Sequence, residues 1–327
     1  MKTKNKKIVA LILTLGIVGT MLSGCASSKD GDGATKAKKT QVIIATGGSA
    51  GTYYAVGAGL ATIINKYSTT INAISQGTNG AVENVRLVNS GNADIGITNW
   101  DALYFGANAE GPFKDKKQDI VGLMTMYLSG NQIAVLDKSG IKSIADLKGK
   151  TVNLGPIGSV AIEMTKIMLS SYGIDPEKDI KVVNLSYDEG GSKLADGDID
   201  ATAYLAGIPT SGIISIANSR KINILTVDDA KMATILTKYP YYDKVTIKGG
   251  TYKGLDNDVQ TLQAWTSLVV NPKMSKEVAA EIVNIVLEHK DELTKVHAVL
   301  KDLSLENASK MPIDFHPGAR TYFDGKK

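Results

Sequence analysis

The turn Gly47-Gly-Ser-Ala-Gly51 follows the apolar run Gln41 to Thr46 and precedes a helical spacing of Val56, Leu60, Ile63 and Ile64. It matches Gly-x-Ser-x-Gly, the strand-to-helix turn that presents a nucleophilic serine in some hydrolases. Such a serine needs a histidine base. Of the three histidines, His289 and His297 fall on expected C-terminal helices, and only His316 sits in a loop with no fixed relation to Ser49. The turn also follows the first strand of the body, so no earlier strand carries an oxyanion loop. A secreted serine esterase is the remote alternative, and no enzymatic role is expected.

The same turn serves binding better. In parallel α/β sheets, ligands collect at the carboxyl ends of strands, where loops lead into helix N-termini. Free N–H groups there accept carboxylates and other anions without an arginine. Four loops fit: Gly47 to Thr52, Gln76 to Gly80, Asn99 to Asp101, and Gly155 to Ser159. Their polar residues can instead cap their own helices. As ligand contacts we expect Ser49, Thr52, Tyr53, Thr78, Asn79 and Asn99 from one side of a cleft. Gly158 and Ser159 face them, with Gly207 and Pro209 shaping the wall, and Asp101 or Asp188 is placed to receive an amine. The acidic pairs sit at helix starts or turns, and there is no phosphate loop, dinucleotide fingerprint or His-Glu-x-x-His. Neither cofactor nor metal is expected.

Those loops need strands and helices to hold them. Strands are expected at Gln41–Thr46, Ile71–Ser75, Ala93–Thr98 and Lys150–Leu154, alternating with helices whose inward faces carry Ala81, Val85 and Val88, then Val160, Met164, Ile167 and Met168. Such alternation means parallel βαβ units. Two features recur: Gly-Ser at Gly48-Ser49 and Gly158-Ser159, 110 positions apart, and Gly-x-x-Asp at Gly91–Asp94 and Gly197–Asp200, 106 apart. The expected fold is therefore α/β with two similar lobes rather than one continuous sheet. Val259 to Val270 is a long extended stretch suited to crossing between them, and Ser275 opens a helix facing inward through Ala279, Ile282, Val283 and Val286. The expected division is 40–130 with 262–327 for the first lobe and 131–261 for the second.

The chain of 327 residues is 43% hydrophobic and 21% charged, which places it among globular proteins. Its formal charge of +4 comes from Lys2, Lys4, Lys6 and Lys7, and the remaining body is balanced. A neutral body has no electrostatic hold on a polyanion, so nucleic acid is not an expected partner. The basic start, an uncharged run from Ile8 to Gly24 and Leu22-Ser-Gly-Cys25 have the parts of a secretory signal. The last four residues resemble a lipobox. The expected organisation is a signal peptide over 1–24, a lipidated Cys25, a flexible tether over 25–39 and a monomeric body held outside the cytoplasmic membrane. Two acyl chains suffice for stable anchoring.

Thr46-Gly-Gly-Ser-Ala-Gly-Thr-Tyr-Tyr54, Gln76-Gly-Thr-Asn-Gly-Ala-Val-Glu-Asn84 and Arg86-Leu-Val-Asn-Ser-Gly-Asn-Ala-Asp94 resemble the TAXI family of solute receptors. So do Asp146-Leu-Lys-Gly-Lys150 with Gly158-Ser159, Asp196-Gly-Asp-Ile-Asp200 with Ala206-Gly-Ile-Pro209, and Pro312-Ile-Asp-Phe-His-Pro-Gly-Ala319. These receptors are the extracytoplasmic subunits of tripartite ATP-independent periplasmic (TRAP) transporters. The resemblance implies a two-lobed Venus-flytrap fold with a hinge and a small bound organic acid or amino acid; with no arginine in the loops, glutamate, glutamine and a dicarboxylate such as 2-oxoglutarate are equally expected. It also implies delivery to an ion-gradient-driven membrane permease. A binding protein of an ATP-driven importer and a sensor partner remain open alternatives.

Overall fold

The computed structural model describes residues 39–326. The leader, Cys25 and the tether up to residue 38 lie outside the described residues. Among the described residues no helix is long and apolar enough to cross a membrane.

The first half runs β1 (Thr40–Ala45), α1 (Thr52–Tyr67), β2 (Ile71–Gln76), α2 (Ala81–Ser90), β3 (Ile95–Asn99), α3 (Trp100–Asn108). A long strand, β4 (Val121–Leu136), leads into β5 (Thr151–Asn153), α4 (Ala161–Ser171), β6 (Lys181–Val183), α5 (Tyr187–Asp196), β7 (Ala201–Ala206) and α6 (Ser211–Ser219). Then come β8 (Ile222–Ile224), α7 (Asp229–Lys238), β9 (Asp243–Ile247) and a second long strand, β10 (Val259–Val270). The chain closes with α8 (Lys276–Glu288), α9 (Lys290–Val296), α10 (Leu305–Ala308) and α11 (Pro317–Asp324).

Each half contains three parallel strands in the same relative order, β2-β1-β3 and β6-β5-β7. The expected pair of similar units is therefore present, but hydrogen bonding does not stop between them. The path β2-β1-β3-β10-β4-β7-β5-β6 is continuous, because β4 and β10 each serve both halves. β4 pairs antiparallel with β10 up to Gly130, and from Gly130 onward with β7. β10 pairs with β9 up to Gln263 and with β3 from Thr266. Register shifts flank Ser267 and Leu268 in the β4–β10 ladder, and bulges of this kind bend and twist the strands that carry them.

The repeat is anchored by chemistry. Asp94 Oδ2 accepts the Ile43 N–H at 2.7 Å while the Asp94 N–H donates to the Ile43 carbonyl at 3.0 Å. Asp200 makes the same two bonds to Thr151, at 2.8 and 2.9 Å. Each Gly-x-x-Asp turn thus clamps the start of its strand to the first strand of its own half. The Gly-Ser pairs are not equivalent in this way. The β1–β3 and β5–β7 registers align Ile44 with Val152, 108 positions on, which sets Ser49 opposite exposed Ile157 rather than Ser159.

Apolar periodicity decides the packing. Val56, Leu60, Ile63 and Ile64 of α1, Val85 and Val88 of α2, and Met164 and Met168 of α4 are buried in one large cluster with the inward residues of the strands. Ala201, Ala203 and Leu205 of β7 point into that cluster, while Tyr204 points the other way, into a smaller core with Leu194 and Ile216 from α5 and α6. Ser275 caps α8 as expected, accepting the Val278 N–H at 3.2 Å.

Candidate functional site

Six carboxyl ends converge on one cavity of about 50 Å³. Gly47, Gly48, Gly51 and Tyr53 follow β1; Thr78 to Ala81 follow β2; Asn99 ends β3. From the other half come Pro156 and Ser159 after β5, Ser186 and Tyr187 after β6, and Leu205 in β7. The space exceeds the ~10–15 Å³ a single water requires. No lining residue is Lys, Arg, His, Asp or Glu, so a charged ligand would be met by backbone N–H groups and hydroxyls. A larger groove of about 340 Å³ lies over α5 and α6, but apart from Ala50 its walls come from the second half alone.

A polar seam holds the cavity floor. Tyr53, 8% exposed, donates its hydroxyl to Asn99 Oδ1, and Asn99 Nδ2 donates to Thr266 Oγ1 at 3.0 Å. Thr266 in turn shares a 2.8 Å hydroxyl contact with Ser129 across the β4–β10 ladder. Asn99 stands at the N-cap of α3 yet makes no side-chain cap bond, its amide being used on Tyr53 and Thr266. Burial, then the neighbouring Tyr127, Asp101 and Tyr187, pushes the Tyr53 phenol well above its ordinary value, so it stays a neutral donor. Beside it the fully buried Tyr127 hydroxyl has no hydrogen-bond partner. On the far wall, Tyr187 Oη accepts the Leu205 N–H at 3.0 Å, and Ser159 Oγ accepts the Ala161 N–H at 3.1 Å, capping the start of its own helix.

Of the expected contacts, Tyr53, Thr78, Asn79, Asn99 and Ser159 line this cavity, whereas Ser49, Thr52, Gly158, Gly207 and Pro209 do not. Ser49 is exposed and donates to Asp188 Oδ2 at 2.9 Å. Thr52 Oγ1 accepts the Gly207 N–H at 3.0 Å, and Pro209 follows a cis peptide bond one residue further on. Asn79 donates its backbone N–H and its side-chain amide to Glu83 Oε2, both at 2.8 Å. Asp101 is fully buried behind the cavity, Oδ1 accepting the Ala102 N–H and Oδ2 the Tyr242 hydroxyl at 3.0 Å. Burial pushes its carboxyl up to about 7, against the pull of those two donors.

The histidines have other partners. His289 stacks on Tyr67 with centroids 3.4 Å apart. His297 Nδ1 accepts the Val299 N–H, with burial lowering its basicity. His316 caps α11. Arg86 donates to the Pro112 carbonyl at 2.8 Å and lies over the Phe113 ring.

Ser186, Tyr187 and Leu205 were missed. The signal lay in the repeat: 106 positions separate Gly80 from Ser186, as they separate Asp94 from Asp200. The loop before α5 is thus the counterpart of Gln76 to Gly80.

Many solved structures share the fold, three of them as follows. The periplasmic aliphatic sulphonate binding protein of Escherichia coli is 16% identical over 88% of this chain and 84% of its own, with a TM-score of 0.51. A binding protein component of an ABC phosphonate transporter from Pseudomonas aeruginosa is 12% identical over 84% and 81%, with a TM-score of 0.52. A protein of Bordetella bronchiseptica RB50 is 18% identical over 88% and 89%, with a TM-score of 0.54. The fold is thus the two-lobed α/β architecture of periplasmic binding proteins. A family model matches residues 44–326, nearly the whole body that builds the cavity, and the chain belongs to the NMT1-like family.

Proposed function

We propose that this chain is an extracytoplasmic solute-binding protein, with lobes 40–130 plus 262–327 and 131–261 closing over a small acid or amino acid. The observation that carries the reading is the convergence of six strand ends, three from each half, on one uncharged cavity. That is where parallel α/β sheets bind ligands, and a ligand touching both halves favours closure by its extra contacts there.

The finer reading is a TAXI-type receptor, anchored through Cys25 and serving an ion-gradient-driven TRAP permease. It rests on the ordered series of motifs from Thr46 to Ala319. An ATP-driven importer is the second reading, supported by the likeness to the phosphonate-transporter component. Uptake in vesicles carrying the cognate permease separates them: a sodium gradient drives the first, and ATP the second.

Thermal unfolding against carboxylates, amino acids, sulfonates and phosphonates tests the receptor role. A ligand at 100 times its Kd adds about 2.7 kcal/mol, an upward shift of a few degrees in Tm. Ser159→Phe fills the cavity and removes that shift, while loss of its bond to the Ala161 N–H lowers the unliganded Tm by only a few degrees. An unchanged shift in the variant removes Ser159 from the site, and no shift with any compound class removes the receptor role.

A further inference from the structure

Two helices, α2 beside the cavity and α6 beside the larger groove, lack caps of their own. The N-cap of α2 is Gly80, which has no side chain, and the N-cap of α6 is Thr210, which makes no side-chain cap bond. Both ends are nevertheless capped, each by a carbonyl from the opposite half. The Gly158 carbonyl accepts the N–H groups of Val82 and Glu83 at 2.9 and 3.1 Å. The Ala50 carbonyl accepts the Gly212 N–H at 3.2 Å, and also the hydroxyls of Thr210 and Ser211 at 3.2 and 3.1 Å. The three backbone N–H groups are N-terminal donors of the kind that an N-cap side chain normally satisfies.

We propose that the Ala50 and Gly158 carbonyls form a reciprocal latch, in which each half caps a helix of the other and so holds the cleft closed before any solute binds. The inference rests on the receptor reading, because it requires halves that part. Its geometry is specific. Gly158 has φ +102°, and a Cβ there would lie 3.3 Å from Asn79 Cβ and 3.4 Å from Glu83 Cβ. Only glycine brings this carbonyl onto α2 without strain. Opening breaks these five hydrogen bonds, along with those of Ser49 to Asp188 and Gly207 to Thr52, and exposes two uncapped helix ends to water. A ligand then adds to closure rather than creating it, and its apparent affinity depends on the latch through the closed fraction.

Pulsed electron-spin distance measurement tests this on the full-length chain. Labels go on Asn92→Cys and Asp198→Cys, in the two Gly-x-x-Asp turns, with Cys25→Ser removing the chain's one native thiol. Protein stripped of solute by unfolding and refolding is compared as wild type, G158V and T210V/S211A. The double variant removes two donors from Ala50 with little change of shape, so it covers the case in which G158V misfolds locally. The expected result is a predominantly short distance in the wild type. Each variant should raise the open-to-closed ratio about fivefold, the loss of roughly one cap. A long distance in solute-free wild type overturns the latch and leaves the receptor reading intact. A short distance unchanged in both variants also overturns the latch. If no compound class then gives a thermal shift, the receptor reading falls separately.

Discussion

The two halves of this molecule share a skeleton and differ in what stands at equivalent positions along it. Asp94 and Asp200 make the same pair of bonds to Ile43 and Thr151. At the same spacing of 106, Asn84 corresponds to Gly190, Gly80 to Ser186 and Asp101 to Gly207. In the first half, Asn84 reaches from α2 to the carbonyls of Thr46 and Ile97. In the second half the amide sits on the strand instead: Asn153 occupies the space that a Cβ on Gly190 would fill, 2.1 Å from its Nδ2. Ser186 caps α5 itself, accepting the Glu189 N–H at 3.2 Å, whereas α2 waits for Gly158. The repeat is kept where a strand must be clamped and abandoned where loops face the cavity.

Asp101 is the largest asymmetry, because its counterpart Gly207 cannot titrate. Its carboxyl, held near 7 by burial, returns to about 4 in the unfolded chain. Between those values the native state keeps a proton that the unfolded state has lost. Stability therefore falls as pH rises from about 4 to 7 and levels off above. At about 1.4 kcal/mol per pH unit the drop is roughly 4 kcal/mol. Urea unfolding of wild type and Asp101→Asn at pH 5 and pH 8 checks this. The variant should lose most of the pH dependence, and a drop of equal size in both proteins would assign it elsewhere.

Asn84 and Asn153 come next in size. Each amide makes three hydrogen bonds, two of them buried, Asn84 with Thr46, Ile97 and Thr78, and Asn153 with Gly155, Leu185 and Thr202. Truncating either leaves several buried groups unpaired, a cost of roughly 3 kcal/mol. If the halves solve one problem in two ways, Asn84→Ala and Asn153→Ala lower the urea midpoint by similar amounts. A cost below about 1 kcal/mol for one of them would show that its half holds the amide for another reason.

Much of this was legible from local pattern. The α1 and α8 faces, the long strand Val259–Val270, the Ser275 cap and the Gly-x-x-Asp repeat all follow from spacing and side-chain chemistry within a few residues. The failures are long-range. Ser49 looked equivalent to Ser159, but strand register offsets the two turns by two positions, leaving Ser49 exposed beside Asp188. Asp101 carried no sign of burial, since its partner Tyr242 lies 141 residues away. The second crossing strand, β4, carries no pattern in the sequence that marks it. It is buried along both halves and changes partner midway, so its residues show neither alternation nor helical spacing.

The smallest effect tests the shared skeleton itself. Asp94→Ala and Asp200→Ala each remove one charge-assisted bond to a strand N–H while the reciprocal backbone bond survives. Hydrogen bonds to charged groups contribute about 1.5–3 kcal/mol, and these carboxylates are only half-buried, so about 1.5 kcal/mol is expected for each. The two sites lie in different halves and share no partner, so the double variant should cost the sum of the single ones to within about 0.5 kcal/mol. Equal single costs with an additive double mean that the two halves retain one structural solution at this turn. A marked inequality would mean that the matching geometry hides different loads, with the costlier clamp on the half whose first strand has less other support. β5 has three residues against six in β1, so any departure from equality should fall on Asp200.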